Sequence, residues 1–321
     1  MPKPKRLILA LAAALTLTGV AAAAPLDAKT VPADAKWVVH VDVDSLAKSE
    51  TWKLVEPRLA ARPNYGKSKA EIERLFAAQL PRDLHDVTLF GPGAGEADAV
   101  VVVRAAVDQQ RVKTLLSLNE SYTTQTIGGQ TVHGWRDAGK GGAAARAENK
   151  AASKQMYGVL DGKNAMIVGQ SAQRVAAAAD VLDGRGAAMA NAALVPASDA
   201  GGLLVYVAGD QIAELAKAGA ARSPVLTKLQ TAVLTAGESK DGLVLGGRII
   251  AQNAAVAADI VKAANGFKSM LTFAEDPDAF LVNEALSGLT LKQDDKTVTA
   301  DCTVSFDTLT GLLEQAAAKA K

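Results

Sequence analysis

WVVHVDVDSL, residues 37–46, reads as a strand that hands over to a helix, and LLVYVAGDQI, residues 203–212, reads the same way. Aligned without gaps, Leu203 stands under Trp37, Tyr206 under His40, Ala208 under Asp42 and Asp210 under Asp44. Side chains alternate faces along a strand. The apolar positions Trp37, Val39, Val41 and Val43 therefore predict a buried face, and His40, Asp42 and Asp44 a wet one. Asp44 and Asp210 both fall at the handover, where a carboxylate can accept from free N–H groups of a helix's first turn, so both read as caps.

From these two openings the chain reads as one order of elements, written twice. After the first come a helix SLAKSETWKLVEPRL, a helix SKAEIERLFAAQL with Ile72, Leu75 and Leu80 on one side, and strands DVTLF and DAVVVVRAAV joined by GPGAGEA. A helix DQQRVKTLLSL capped by Asp108 follows, then hairpins turning at Gly128-Gly129 and at DGKN, then SAQRVAAAADVLDG stopped by Gly184. After the second opening come QIAELAKAG and SPVLTKLQ, both read as helical, and a strand pair turning at SKDG. A helix follows with Val256, Ile260, Ala264, Phe267 and Leu271 in one stripe, then a helix beginning Asp276-Pro277, the hairpin LTLKQDDKTVTADCTVS and a closing helix. VVVVRAAVDQQRV aligns on the stretch beginning at Val244, placing Arg104 on Arg248 and Val112 on Val256. The fold expected is α+β: two related β-α-β-β-α-β-β-α units, mostly antiparallel, with helices packed on one face. The units are residues 24–195, carrying a Gly-, Ala- and Lys-rich insertion at 138–154, and 196–321.

Residues 1–23 read as a secretory signal peptide. Lys3, Lys5 and Arg6 precede the uncharged run Leu7 to Ala24, and Ala21 and Ala23 suit cleavage after Ala23. The expected location is periplasmic or secreted. No later stretch is apolar enough to span a bilayer. Without the leader's three basic residues, 32 Lys+Arg face 34 Asp+Glu, a net charge of about −2, the wrong sign for nucleic acid. Aromatic residues are 4% of the chain, which disfavours stacking platforms for single strands or sugars. Cys302 is the single cysteine, so no internal disulfide forms, and it reads as a small core residue. The chain is 49% hydrophobic, enough for a packed core.

Patterns with chemistry are few. There is no H-E-x-x-H, C-x-x-C or G-x-S-x-G, and GPGAGE lacks the Lys and the following helix of a phosphate loop. The one candidate metal set is His40 and Asp42 on a shared strand face, with His133 as third ligand. Arg104 and Arg248 read as strand-end arginines that reach solvent or pair with an acid. No cofactor is expected.

The run PADAKWVVHVDVDSLAKSETWKLVEP, residues 32–57, resembles the opening of a family of exported bacterial proteins of unknown function, with a signal peptide followed by a V-H-V-D strand and a helix. The resemblance implies export and an α+β fold, and brings no catalytic residues with it. The reading that follows is an exported, non-catalytic protein that binds a protein or small-molecule partner through an uncovered sheet face or cleft. The alternatives are a metal-binding protein or metal-dependent hydrolase using His40, Asp42 and His133, and a structural envelope protein that assembles with itself.

Overall fold

A computed structural model describes residues 26–62, 64–136, 154–196, 203–218, 223–272 and 277–318. The signal segment 1–23, Asp276 and all of the 138–154 insertion but Lys154 lie outside the described residues. The described chain is mixed α+β, with twelve strands and nine α-helices, and the strand pairings whose register is resolved are all antiparallel.

The elements run β1 (Trp37–Asp42), α1 (Val43–Lys48), α2 (Glu50–Ala60), α3 (Tyr65–Phe76), β2 (Leu84–Gly91), β3 (Val100–Ala105), α4 (Gln109–Ser117), β4 (Thr123–Ile127), β5 (Gln130–Arg136), β6 (Gln155–Leu160), β7 (Ala165–Gly169) and α5 (Ala172–Leu182). They continue with β8 (Leu203–Asp210), α6 (Ile212–Ala218), β9 (Leu229–Ser239), β10 (Gly242–Ala251), α7 (Ala254–Thr272), α8 (Pro277–Ser287), β11 (Thr290–Asp294), β12 (Thr297–Val304) and α9 (Phe306–Ala318).

Contacts divide the chain into two compact units. One gathers Asp27–Val38 and Asn64–Val195; the other gathers Val39–Pro63 and Pro196–Lys321. A division thus falls between Val195 and Pro196, but β1 is cut within itself, and α1 and α2 group with the C-terminal part of the chain.

In the first unit the strands lie in the order β2-β3-β7-β6-β5-β4. The turns that make this order are chemical: Gly128 (φ 59°) and Gly129 (φ 85°) close β4 on β5, and Gly162 (φ 73°) with Asn164 (φ 74°) close β6 on β7. Val102 stands opposite Ile167 and Ile167 opposite Val159, and this side is sealed by α5 through Val175, Ala178 and Ala179. Ser171 caps α5 by accepting from Arg174 N, and Gly184 (φ 75°) follows its end. Asp108 caps α4 by accepting from Arg111 N at 3.0 Å.

In the second unit the order is β8-β9-β10-β12-β11. Leu243, Cys302 and Val304 form one core cluster with Ala285 of α8 and Leu309 of α9, and Leu54 of α2 packs against it. Ala251, Val298 and Ala257 form another with Val256, Ile260 and Val261 of α7. Val41 and Leu46 pack on Leu204, Val205 and Ala236. The first turn of α2 is held from another element: Glu238 of β9 accepts from Glu50 N (2.7 Å) and Thr51 N (3.0 Å).

Several local expectations are corrected. The helix read over SLAKSETWKLVEPRL is two helices, broken where Ser49 turns extended (ψ 152°) and its hydroxyl caps α2 by accepting from Trp52 N. SPVLTKLQ holds only a three-residue 3-10 turn, Leu226–Lys228. Ile72 is exposed, because α3 turns Leu75 and Phe76 inward in its place. In α7 the inward line runs through Ala257, Ile260, Val261, Ala264, Lys268 and Leu271, leaving Phe267 exposed. Lys268 belongs on that line because its ammonium donates to the carbonyls of Ser287, the last residue of α8, and of Leu289 just after it.

Candidate functional site

The opening stretch places its polar residues opposite to the expectation. Along β1 the buried positions are Val38, His40 and Asp42, and the half-buried ones are Trp37, Val39 and Val41. His40 is 3% exposed and Asp42 2%, so neither lies on a wet face. The strand is covered on both sides, and polarity alternating along it does not report which side meets water.

Asp42, not Asp44, is the cap. Its carboxylate accepts from Ser45 N and from the Ser45 hydroxyl, both at 2.9 Å, because the strand yields to the helix two residues earlier than the periodicity suggests. Asp44 lies in the first turn of α1, where its charge suits the positive end of the helix. At the matching place in the second unit Asp210 accepts from the Thr231 hydroxyl at 3.1 Å.

His133 sits on β5, 5% exposed, with Nδ1 2.8 Å from the Tyr122 hydroxyl and the two rings stacked 5.9 Å apart. Burial pushes its pKa below the usual imidazole range, and the Lys113 ammonium adds to the effect. The imidazole is therefore neutral at neutral pH. Among the described residues no three His, Cys, Asp or Glu side chains are gathered so as to hold a metal ion. The trio His40, Asp42 and His133 is not brought together as such a group; Asp42 serves Ser45 and His133 serves Tyr122.

The two arginines part company. Arg104 Nε lies 3.2 Å from Asp86 Oδ2, and Arg104 shares the side of Val100 and Val102. Arg248 is exposed in the middle of β10, on the side opposite Leu243, so the alignment of one on the other does not hold face by face. Cys302 donates to the Ala285 carbonyl at 3.1 Å and burial raises its pKa, which keeps it a thiol. Tyr206, expected only as the counterpart of His40, is 2% exposed, and burial pushes its hydroxyl up to about 12. Trp37 is half-buried: its indole N–H donates to the Gly93 carbonyl at 2.7 Å and its ring lies against Gly91.

A different feature stands out. On the side of the first unit's sheet away from α5, registered across β2, β3 and β7, lie Val87, Leu89, Val101, Val103, Met166 and Val168. All six are half-buried, while Thr88, Val100, Val102 and Ile167 on the α5 side are buried. The run of valines in the sequence signals a strand apolar on both faces. It does not tell how completely each face is covered.

The chain so defined is a mixed α+β protein with a sheet face that is apolar and incompletely covered. No known protein family matches it, and a search of curated proteins finds no relative. Among solved structures it is similar to crystal forms III, I and IV of TP0453, with TM-scores of 0.47, 0.42 and 0.47 at 11%, 11% and 9% identity. These matches cover 91%, 92% and 92% of this chain and 98%, 99% and 97% of the other. No helix among the described residues is long and apolar enough to cross a membrane.

Proposed function

We propose that this is an exported, non-catalytic protein of the periplasm or secreted space that binds an apolar ligand or partner segment on a sheet face. The observation that carries the reading is the half-covered apolar row Val87, Leu89, Val101, Val103, Met166 and Val168. Apolar area removed from water is worth about 25 cal/mol per Å², so such a face gains from a cover. The polar residues that could suggest chemistry have structural work: Asp42 caps a helix, His133 holds Tyr122, and Arg104 pairs with Asp86. Export rests on the leader-like start of the sequence.

The reading includes a duplicated scaffold. The order β2-β3-β7-β6 in one unit has a counterpart in β9-β10-β12-β11 in the other. Helices follow at the same places with like caps: Asp108 on α4 and Asn253 on α7, each accepting at 3.0 Å, and Ser171 on α5 and Ser305 on α9. The β4–β5 hairpin is then an insertion in the first copy, and α8 one in the second.

Native mass spectrometry of the chain purified from its own host tests the function. A mass above the polypeptide's by some hundreds of daltons, lost in a Val101→Glu variant that still folds, is the expected result. The bare polypeptide mass, with no protein recovered by cross-linking at Val101, overturns the reading. An added mass of tens of daltons favours the metal alternative.

A further inference from the structure

We infer that β4 is a self-pairing edge: two copies of this chain associate by laying β4 against β4 of the partner in antiparallel register about Gln125. The inference is independent of the sheet face proposed above. In its unit β4 ends the strand order, and among the described residues β5 is its single strand neighbour. Thr123, Thr124, Gln125 and Thr126 are all exposed and Ile127 is half-buried. An edge strand presents a row of N–H and C=O groups to any strand that can match it, and edges are usually blunted with Lys, Pro, a bulge or a covering element. Among the described residues β4 carries no Lys, no Pro and no bulge, and although α5 touches it, every residue of it but Ile127 is exposed. Its register against β5 is unbroken from Thr123–Gly134 to Ile127–Gln130, and the stretch SYTTQTIGGQ, residues 121–130, has no charged residue and no Pro. Thr and Ile are strong strand formers.

The strand that ends the second unit's order is built differently. β11 carries Lys292 and Asp294 within TLKQD, and α7 packs on it. Two copies of β11 paired about its centre would set ammonium against ammonium at Lys292. Two copies of β4 paired about Gln125 set Gln against Gln, Thr124 against Thr126 of the partner subunit, and Thr123 against Ile127 of the partner subunit. No like charges oppose, and Thr–Thr pairs are favourable across strands. That self-match is what commits the edge to a second copy rather than to an unrelated strand. The contact is isologous, so it closes as a dimer. Five paired residues make a small interface, so association is weak and concentration-dependent.

Sedimentation of the full chain as purified, over a concentration series, tests this with Gln125→Lys and Gln125→Glu. Both substitutions fall at an exposed position, and thermal melts check that each variant keeps its fold. The wild type is expected to shift from monomer to dimer as concentration rises. Each variant alone is expected to associate about five-fold more weakly, the upper range for one opposed like-charge pair. An equimolar mixture of the two is expected to regain association, since Lys then faces Glu. A wild type that stays monomeric throughout overturns the inference. So do variants that dimerise as the wild type does, or a mixture no tighter than its components.

Discussion

His133 and Asp42 carry the same lesson about buried polar groups. Each was a candidate ligand by residue type, and each is held in the fold by a nearby hydroxyl, from Tyr122 and from Ser45. A period-of-two reading sorts residues into two faces correctly, and β1 does alternate. It cannot rank the faces when both are covered, and the caps that satisfy a buried carboxylate make a polar residue compatible with the interior. For His133 the consequence is a pH dependence. Its folded-state pKa is lowered by burial, with Lys113 beside it. The unfolded chain therefore binds the proton more readily, and stability falls as pH drops through the unfolded value of about 6.5. His133→Gln keeps a partner for the Tyr122 hydroxyl and removes the titration. Urea midpoints of wild type and variant should therefore converge, or cross, between about pH 7.5 and about pH 5.5. A gap that does not change with pH would show that His133 contributes nothing to the acid sensitivity.

Elements were legible where the chain needs special backbone chemistry. The hairpins at Gly128-Gly129 and at DGKN, the Asp108 cap and the stop at Gly184 all follow from local residues, and the structure has them. Elements were misread where a distant partner decides. α2 starts as a separate helix because Ser49 caps it and Glu238, far along the chain, accepts from its first two N–H groups. α7 turns Phe267 outward because Lys268 is drawn inward to the carbonyls at the C-terminal end of α8. The β9–β10 turn combines both influences. Gly242 has φ 130°, and a Cβ there would collide with the Val304 carbonyl oxygen and stand 2.8 Å from Ser305 Cα. That backbone belongs to the junction of β12 and α9, so the turn cannot relax outward without unseating Leu243 from its cluster with Val304 and Leu309. Gly242→Ala should cost about 2 kcal/mol or more, the range for a strained backbone with a clash added. A urea melt within 0.5 kcal/mol or so of wild type would mean that the loop gives way freely.

At the scale of the whole molecule, chain order and packing disagree about what belongs together. Residues 39–63 come first in the sequence yet group with Pro196–Lys321. No periodicity could have shown this, because a strand and two helices carry the same pattern whichever sheet they join. The packing gives the reason. Leu54 seals the cluster of Leu243, Cys302 and Leu309, Val41 and Leu46 cover Leu204 and Val205, and Arg58 lies 3.6 Å from Glu314. The half-buried Glu238 carboxylate also loses the two N–H donors of α2 if that helix is removed. A fragment of residues 196–321 alone would expose these apolar surfaces together, and burying a single Leu or Val is worth about 1.5–3 kcal/mol. Against a typical domain stability of about 5–15 kcal/mol, losing three or four such contacts removes most of the margin. The fragment should therefore show no cooperative urea transition by circular dichroism. Joining residues 39–63 to its N-terminus through a flexible linker should restore one. If 196–321 unfolds cooperatively on its own, the second unit is complete without the N-terminal segment. The strand and helices from 39 to 63 would then be an accessory to it rather than part of its core.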